Sequence, residues 1–244
     1  MFEKFRQRSL EPENLDKGSY TPAEYEGCLV ELRRINEWLG DANALRGSLL
    51  KVIEHRDLQS FSVLDVGAGS GKLLRVAAAW ARDTKRTAFL VGLELNDRSA
   101  RAILEESAAF SEIASVRANG FMLPFPDQTF DYVIQSLTLH HFDDAGAVNV
   151  LKEMARVARR GIFVIDLHRN RMAYFFYTTI GRLFLHNRLI REDGALSILK
   201  SFTPEELEEI GRRTGLANVK VEKYFPSRLI LSAVSEPGAI ATGS

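Results

Sequence analysis

Three glycines at alternate positions, Gly67, Gly69 and Gly71, follow a strand-forming run and precede a helix-forming run over residues 72–82. Glycine has no Cβ atom, so such a turn lets the chain bend sharply and lets a ligand approach the bare backbone. The N–H groups that open the following helix attract the anionic end of a ligand. Asp65 stands directly before the glycines. The spacing therefore predicts a small-molecule site with an acid beside it.

The spacing separates three families that use such a turn. A P-loop requires G-x-x-x-x-G-K-[ST], but Val66 stands where its first glycine belongs and Leu73 replaces its hydroxyl residue. A dinucleotide fingerprint would place its third glycine at Lys72. The remaining pattern, D-x-G-x-G-x-G from Asp65, resembles the first motif of class I S-adenosylmethionine-dependent methyltransferases. That ligand has no phosphate and carries an ammonium and a sulfonium, which suit a neighbouring acid.

Two later stretches carry the same resemblance. Glu94 ends the apolar run 88–93, where an acid can accept hydrogen bonds from both hydroxyls of a ribose. Residues 119–134 (NGFMLPFPDQTFDYVI) resemble the "D-A-x-x-L-P-F-x-D-x-S-F-D-x-V" signature of these methyltransferases. Asn119-Gly120 replaces the usual Asp-Ala at the adenine edge. An amide can still donate and accept hydrogen bonds, but the charge-assisted part is lost, so we expect a somewhat lower cofactor affinity.

Residues 135–142 (QSLTLHHF) resemble the "S-x-x-L-H-H" strand end of the quinone-biosynthesis type of methyltransferase. The resemblance covers roughly residues 60–170. It implies S-adenosylmethionine as the cofactor and a set of residues that bind it: Asp65, Gly67, Ala68, Gly69, Gly71, Glu94, Leu95, Asn119, Gly120, Phe121, Ser136 and Leu137.

His140 and His141 are the candidates for a catalytic base, because imidazole titrates near neutral pH. Neighbours on an extended strand end point to opposite sides, so we expect one of the two to point inward and favour His141. The substrate candidates are His168, Arg169, Phe176, Tyr177 and Tyr20, with Arg33 and Arg34 as weaker ones. We expect no metal, since the single cysteine, Cys28, excludes a four-cysteine zinc site and an intrachain disulfide.

The sequence predicts strands over 63–66, 89–93, 113–118, 132–135 and 162–165, and four of the motifs stand at the ends of these strands: 65–71, Glu94, 119–121 and 136–141. Helices predicted over 72–82, 98–109 and 144–158 alternate with them, which indicates a parallel sheet that binds ligands at the carboxyl ends of its strands. A hairpin over 219–233, turned at Pro226-Ser227, would close the sheet. The predicted fold class is α/β, a Rossmann-like seven-stranded mixed sheet with helices on both faces.

The rest of the chain predicts additions to that sheet. Residues 1–58 read as an N-terminal helical cap, with helices over 21–39 and 43–55, and residues 59–235 as the methyltransferase domain. After the fifth strand, 172–190 reads as one aromatic-rich helix within an acceptor-side insertion over 172–200. A helix over 204–213 begins with Thr203-Pro204, and 236–244 reads as a tail.

Composition narrows the function. Lys plus Arg and Asp plus Glu number 32 each, and a net charge of zero argues against a nucleic-acid substrate. With neither a signal peptide nor a membrane-spanning run, we expect a cytoplasmic protein, with a homodimer possible. The predicted function is transfer of a methyl group from S-adenosylmethionine to O, C or N of a small aromatic or lipophilic acceptor. The alternatives are an RNA or protein methyltransferase and a non-catalytic S-adenosylmethionine-binding protein.

Overall fold

The computed structural model describes residues 3–18, 20–28, 31 and 40–234. Seven strands form one sheet in the order β3-β2-β1-β4-β5-β7-β6. The strands are β1 (Ser60–Val66), β2 (Thr87–Glu94), β3 (Ile113–Arg117), β4 (Phe130–Ser136), β5 (Ala158–Leu167), β6 (Val219–Tyr224) and β7 (Arg228–Val234). The first five run parallel, whereas β7 is antiparallel to both β5 and β6. The predicted mixed sheet and its closing hairpin are confirmed.

Helices cover both faces of this sheet. In chain order they are α1 (Asn14–Lys17), α2 (22–28), α3 (Asp41–Leu45), α4 (Lys51–His55), α5 (Lys72–Asp83), α6 (Asp97–Glu106), α7 (Asp144–Val157), α8 (Arg171–Thr178), α9 (Gly181–Phe184), α10 (Arg188–Lys200) and α11 (Pro204–Arg212). A π-helical turn, Arg46–Leu50, joins α3 to α4. None of the helices in the described ranges is long and apolar enough to cross a membrane.

Apolar side chains alternate along the central strands, so each face of the sheet carries its own core. On one face Leu64 and Val133 pack with α7 and α11. On the other face Val63 and Ile134 pack with α5 and with apolar residues of α3 and α4. The helical stretch 41–55 therefore covers a face of the sheet, where its burial of apolar surface contributes to the stability of the whole fold.

Hydrogen bonds at its N-terminus fix the start of α11, the last helix before β6. Thr203 accepts a hydrogen bond from the Glu206 N–H, and the Glu206 carboxylate accepts one from the Thr203 N–H, so α11 begins with a complete capping box. The helix predicted over 204–213 is confirmed at Pro204–Arg212. The predicted tail over 236–244 and most of the helix predicted over 21–39 lie outside the described residues.

The single helix predicted over 172–190 is wrong. The chain instead forms α8, α9 and the first residues of α10. The hydroxyls of Thr178 and Thr179 donate to main-chain carbonyls one turn back, which competes with continued helix formation. Asn187 then accepts from the Leu189 N–H and starts α10. The aromatic residues are therefore distributed over two short helices, α8 and α9, which Thr179 and Ile180 separate.

Candidate active site

A cavity of about 1370 Å³ opens at the carboxyl ends of β1, β4 and β5. Its wall includes the glycine turn after β1, the turn after β4, and side chains of α8 and α10. Ten of the predicted site residues are on this wall: Asp65, Gly67, Ala68, Gly69, Ser136, Leu137, His140, His141, Phe176 and Tyr177. The sheet thus brings together residues that are up to 112 positions apart in the sequence, Asp65 and Tyr177.

The three glycines adopt backbone conformations that other residues avoid. Gly67, Gly69 and Gly71 have φ of 76°, 58° and 78°. A Cβ atom on Gly67 would lie 3.0 Å from the Thr138 hydroxyl oxygen, whereas one on Gly69 would meet nothing within 4 Å. Close packing therefore requires a glycine at position 67, whereas at position 69 the backbone conformation alone requires one. The space beside the Gly69 backbone is open.

Two acids flank this turn. Asp65, at the end of β1, is buried, and its Oδ1 atom has no hydrogen-bond partner. Burial raises the pKa of Asp65 to about 8, and the nearby charge of Glu94 adds to the shift. Glu94 accepts from the Gly69 N–H at 2.7 Å and from the Leu95 N–H at 3.1 Å. Its pKa is raised by burial despite these donors.

The residues predicted for the adenine side are close to the turn but not on the cavity wall. A Cβ atom on Gly120 would lie 3.0 Å from Val66, so this segment lies against the end of β1. Asn119 accepts from the Phe121 N–H, and Phe121 packs edge to face on Phe142. Leu95 and Phe121 are exposed apolar side chains. With Glu94 they lie beside the carboxyl ends of β2 and β3, and we term these three residues the shelf.

The histidine pair differs from the expectation. His140 and His141 lie in a 3₁₀ turn, Leu139–His141, so they do not alternate as on a strand, and their rings lie on the same side with centroids 4.4 Å apart. His140 is buried, and its Nδ1 lies 2.6 Å from Oδ1 of Asp166, whose other oxygen accepts from the His140 N–H. Burial alone would raise the pKa of Asp166, but His140 and main-chain donors hold it below its usual value. His140 is therefore the oriented member of the pair.

A third residue, Glu13, approaches the two histidines. Possible metal-ligating atoms of Glu13, His140 and His141 lie within 4.8 Å of one another. The Glu13 Oε1 atom, however, accepts from the Ser197 hydroxyl at 2.8 Å and lies 3.7 Å from the ammonium of buried Lys200. The Lys200 ammonium already supplies a positive charge to this carboxylate, as a metal ion would. That no metal binds here stays a prediction.

Three predicted substrate residues are not on the cavity wall. Arg169 is buried and turned toward α11, where it donates to Glu206 and to the Ser201 carbonyl. His168 follows β5 on the side of the β6–β7 turn, and burial lowers its pKa. Tyr20 stacks on Tyr25, and it is Tyr25 that lines the cavity. Arg33 and Arg34 lie outside the described residues.

Several residues at the cavity were not predicted from the sequence. Asp166, which is the last but one residue of β5, is fully buried behind His140. An acid near the end of a buried strand, like Glu94 at the end of β2, was the available signal. Arg228 begins β7 on the wall, buried against Asp41 of α3 at 2.5 Å, and one of its terminal nitrogens has no partner. Glu13 and Asp193 follow no periodic pattern, and only the tertiary fold brings them to the cavity.

The far wall is apolar and aromatic. Phe176 and Tyr177 of α8 line it together with Leu189 and Ile190 of α10. The Tyr177 hydroxyl donates to the Ile190 carbonyl, and Tyr177 packs so closely on Gly194 that a Cβ there would overlap the ring. The cavity therefore has a charged end near β1 and an aromatic end under α8.

The charged end fits the expected cofactor. A buried carboxyl oxygen without a partner suits a ligand that carries an ammonium and a sulfonium. The open backbone at Gly69 permits the close approach that such a ligand needs. Asp65 and the glycine turn would hold its amino-acid end, and Glu94, on the shelf, would accept from its ribose.

Known proteins match this chain in sequence and in fold. A family model described as a methyltransferase domain matches residues 64–165. The chain is 28% identical to the demethylmenaquinone methyltransferase of Bacillus licheniformis over 177 residues, which cover 67% of this chain and 73% of that protein. It is 30% identical to the enzyme of the same name from Shouchella clausii, over 65% of both chains, and 32% identical to that of Anoxybacillus flavithermus, over 47% of this chain and 53% of the relative.

Solved structures share the fold. A SAM-dependent methyltransferase from Aquifex aeolicus superposes with a TM-score of 0.55 at 17% identity, over 76% of this chain and 88% of that one. Magnesium protoporphyrin IX methyltransferase from Synechocystis, with bound SAH, gives 0.56 at 17% identity, over 81% and 84%. The solved structures thus show a shared fold, and the matched domain and the relatives identify the chain as an S-adenosylmethionine-dependent methyltransferase, similar to the quinone-biosynthesis type.

Proposed function

We propose that the acceptor is an aromatic, lipophilic small molecule bound under α8. The observation that carries the proposal is a buried His140, held by Asp166, on the same wall as Phe176, Tyr177 and Ile190. An apolar pocket with one oriented polar group is the usual form of a site for such a ligand. The names of the relatives, which act on demethylmenaquinone, support a ring acceptor of this class.

S-Adenosylmethionine supplies an electrophilic methyl group when it is bound. The role we assign to His140 is that of base: its Nδ1–H donates to Asp166, which leaves Nε2 to accept a proton from an acceptor hydroxyl or ring position. Asp166 is the positioning residue, because it fixes the tautomer and the ring orientation. The remaining rate enhancement comes from holding the acceptor in line and from excluding water with the aromatic wall.

The other features of the proposal follow the sequence expectations. We propose that residues 59–235 form the domain that binds the cofactor and that the insertion 172–200 within it binds the acceptor. We also propose that neither a metal nor a nucleic acid takes part in the reaction. A cytoplasmic location and a homodimer are further proposals. The neutral net charge supports the exclusion of nucleic acid, since the chain has no overall field that would collect phosphates.

Isotope transfer tests the function directly. S-Adenosylmethionine with a labelled methyl group is incubated with the protein and, separately, with a demethylated naphthoquinol, a simple phenol, total RNA and a protein extract. We expect label in the naphthoquinol or phenol only. Label in RNA or protein would replace the small-molecule proposal, and cofactor binding by calorimetry without any label transfer would favour a non-catalytic protein.

The aromatic wall has its own variants. Phe176→Ala and Tyr177→Ala should each raise the acceptor KM about tenfold or more, as expected when a ring loses roughly 1.5–3 kcal/mol of apolar contact. Cofactor affinity should not change, because the glycine turn is at the other end of the cavity. Leu104→Ala, on the exposed side of α6, is the control. An unchanged KM in both wall variants would move the acceptor elsewhere.

A further inference from the structure

One face of α8 is open to solvent, although most of its side chains are apolar. Residues 171, 172, 175, 176, 179 and 180, which recur at helical spacing, are exposed, whereas 173, 174, 177 and 178 are half-buried. The exposed fractions of Met172, Phe175 and Phe176 are 66%, 58% and 49%, and Phe184 of α9 is 73% exposed. With Ile180, these residues form what we term the α8–α9 surface.

Exposed apolar side chains are concentrated here. Of the large apolar side chains that are exposed in the described residues, Met172, Phe175, Phe176, Ile180 and Phe184 fall within 13 consecutive positions. Single exposed apolar residues are ordinary, but a contiguous group marks a surface that contacts a partner or a membrane.

The stretch of sequence that carries this surface is basic. Residues 167–191 contain five arginines and no Asp or Glu, in a chain whose net charge is zero. Arg169 is paired with Glu206, and Arg188 with Glu24 and Glu192. Arg171 and Arg191 are exposed, and the guanidinium of Arg171 also lies over the Phe5 ring, with its carbon 5.9 Å from the ring centroid. Phenylalanines bordered by arginines are the composition of a helix that lies in the interface of an anionic bilayer.

The surface is continuous with the cavity. Met172 and Phe176 belong to the exposed α8–α9 surface and also line the cavity wall beside Tyr177. A lipophilic molecule that entered past these two side chains would remain in apolar surroundings from a membrane to the site. Helices of eight and four residues are too short to span a bilayer but long enough to lie on it.

We propose that the α8–α9 surface docks the protein on an anionic lipid bilayer, from which the acceptor enters the cavity past Met172 and Phe176. The partner is the bilayer surface, with its negatively charged headgroups and acyl chains. The role of this docking rests on the proposed lipophilic acceptor, but the docking itself does not depend on methyl transfer.

Vesicle sedimentation tests the docking without any turnover. The full chain is mixed with vesicles of phosphatidylcholine containing 30% phosphatidylglycerol, and with vesicles of phosphatidylcholine alone. We expect binding to the first, weakened by raised salt, and little to the second. Phe175→Ser with Phe184→Ser should lower the partition coefficient at least tenfold, and Arg171→Gln about fivefold. Neither phenylalanine lines the cavity.

The matched control is Phe89→Ser with Leu104→Ser, which removes two exposed apolar side chains from β2 and α6. It should leave vesicle binding unchanged, and calorimetry with S-adenosylhomocysteine should report unchanged affinity for both double variants. No binding of the wild type to anionic vesicles overturns the proposal. A second outcome would also overturn it: the wild type is a dimer, the double variant Phe175→Ser with Phe184→Ser is a monomer, and neither binds vesicles. The surface would then join two copies of the chain.

The docking and the proposed function fail in different ways. If vesicles are bound but no lipophilic acceptor is methylated, the assigned acceptor is wrong and the docking stands. If a naphthoquinol is methylated in detergent but the protein never binds vesicles, the acceptor stands and the docking is wrong.

Discussion

His140 and His141 are consecutive residues with different surroundings. His140 is buried and bonded to Asp166, whereas the side chain of His141 is one-third exposed and lies 3.8 Å from Glu13. A catalytic base must be held in one orientation and tautomer, and the Asp166 carboxylate holds His140 in this way at 2.6 Å. The exposed fraction and the partner of each imidazole, rather than its position in the sequence, therefore distinguish their roles.

We predict that His140→Ala lowers kcat by about 10²–10⁴-fold, the usual effect of losing a general base, with unchanged cofactor affinity. Asp166→Asn should lower kcat less and shift the pH profile, because the ring keeps a neighbour but loses the charge that fixes it. Single-turnover rates across pH measure both. A base must be unprotonated to act, so the wild-type rate should rise with pH, and His140→Ala should lose that rise. His141→Ala is the control; if it alone loses the rise, the two assignments are reversed.

The Glu94 carboxylate accepts a hydrogen bond from the glycine turn, and we expect it to bind the cofactor's ribose as well. We predict that Glu94→Ala weakens S-adenosylhomocysteine binding by roughly 2–4 kcal/mol, since hydrogen bonds to a charged group contribute about 1.5–3 kcal/mol each and water replaces part of them. Part of the loss comes from the Gly69 N–H, which loses its acceptor. Calorimetry measures the affinity, and exposed Glu54 of α4 supplies the control, Glu54→Ala. An affinity equal to that of the control would remove Glu94 from the site.

At the scale of elements, α8 and α10 are held together where Tyr177 crosses Gly194. Alanine normally stabilises a helix relative to glycine by about 1 kcal/mol. Here a Cβ would overlap the Tyr177 hydroxyl and ring, so we predict that Gly194→Ala lowers the free energy of unfolding by roughly 1–3 kcal/mol and raises the acceptor KM. Denaturant unfolding and acceptor titration measure the two effects.

Two variants isolate the cause. Gly181→Ala, where a Cβ would meet its nearest neighbour at an ordinary 3.5 Å, should not destabilise the protein. Adding Tyr177→Phe to Gly194→Ala should restore part of the lost stability, because the clash with the hydroxyl is removed. Equal stability of Gly194→Ala and the wild type would mean that α10 can move away from α8.

The break between α8 and α9 explains a limit of prediction at this scale. Apolar spacing over 172–190 suggests one helix, because periodicity does not report where a threonine hydroxyl bonds back to the main chain. The same limit applies to the histidine pair: the sequence does not reveal that β4 ends in a 3₁₀ turn. Local hydrogen bonds decided both cases.

At the scale of the whole molecule, the sequence was a better guide. Buried runs ending in Asp65 or Glu94 predict parallel strands, and the sheet order then places their carboxyl ends on one edge. The charged end of the cavity could be predicted for this reason. Glu13 and Arg228 reach the cavity only through long-range packing, with Arg228 bonded to an acid 187 residues away, Asp41. No local pattern carries that information.

We expect Asp65 to link cofactor binding to the pH of the solution. Its pKa of about 8, set by burial and then by Glu94, keeps the carboxyl mostly protonated at pH 7 in the ligand-free protein. Because the pKa of Asp65 is higher in the folded than in the unfolded chain, its contribution to the free energy of unfolding is fully present at a pH below the unfolded pKa. That contribution is lost as the pH rises through about 8. A cationic ligand reverses the preference, because it favours the carboxylate.

Uptake of S-adenosylmethionine at pH 7 should therefore release close to one proton, and affinity should rise with pH up to about 8 and then level off. Calorimetry in two buffers of different ionisation enthalpy counts that proton. S-Adenosylhomocysteine, which lacks the sulfonium charge, should release fewer, and Asp65→Asn should release none; equal heats in both buffers for the wild type would contradict the coupling. After methyl transfer the product lacks the sulfonium charge, so Asp65 can take a proton back from the solvent, and the product then leaves the site more easily than the cofactor would.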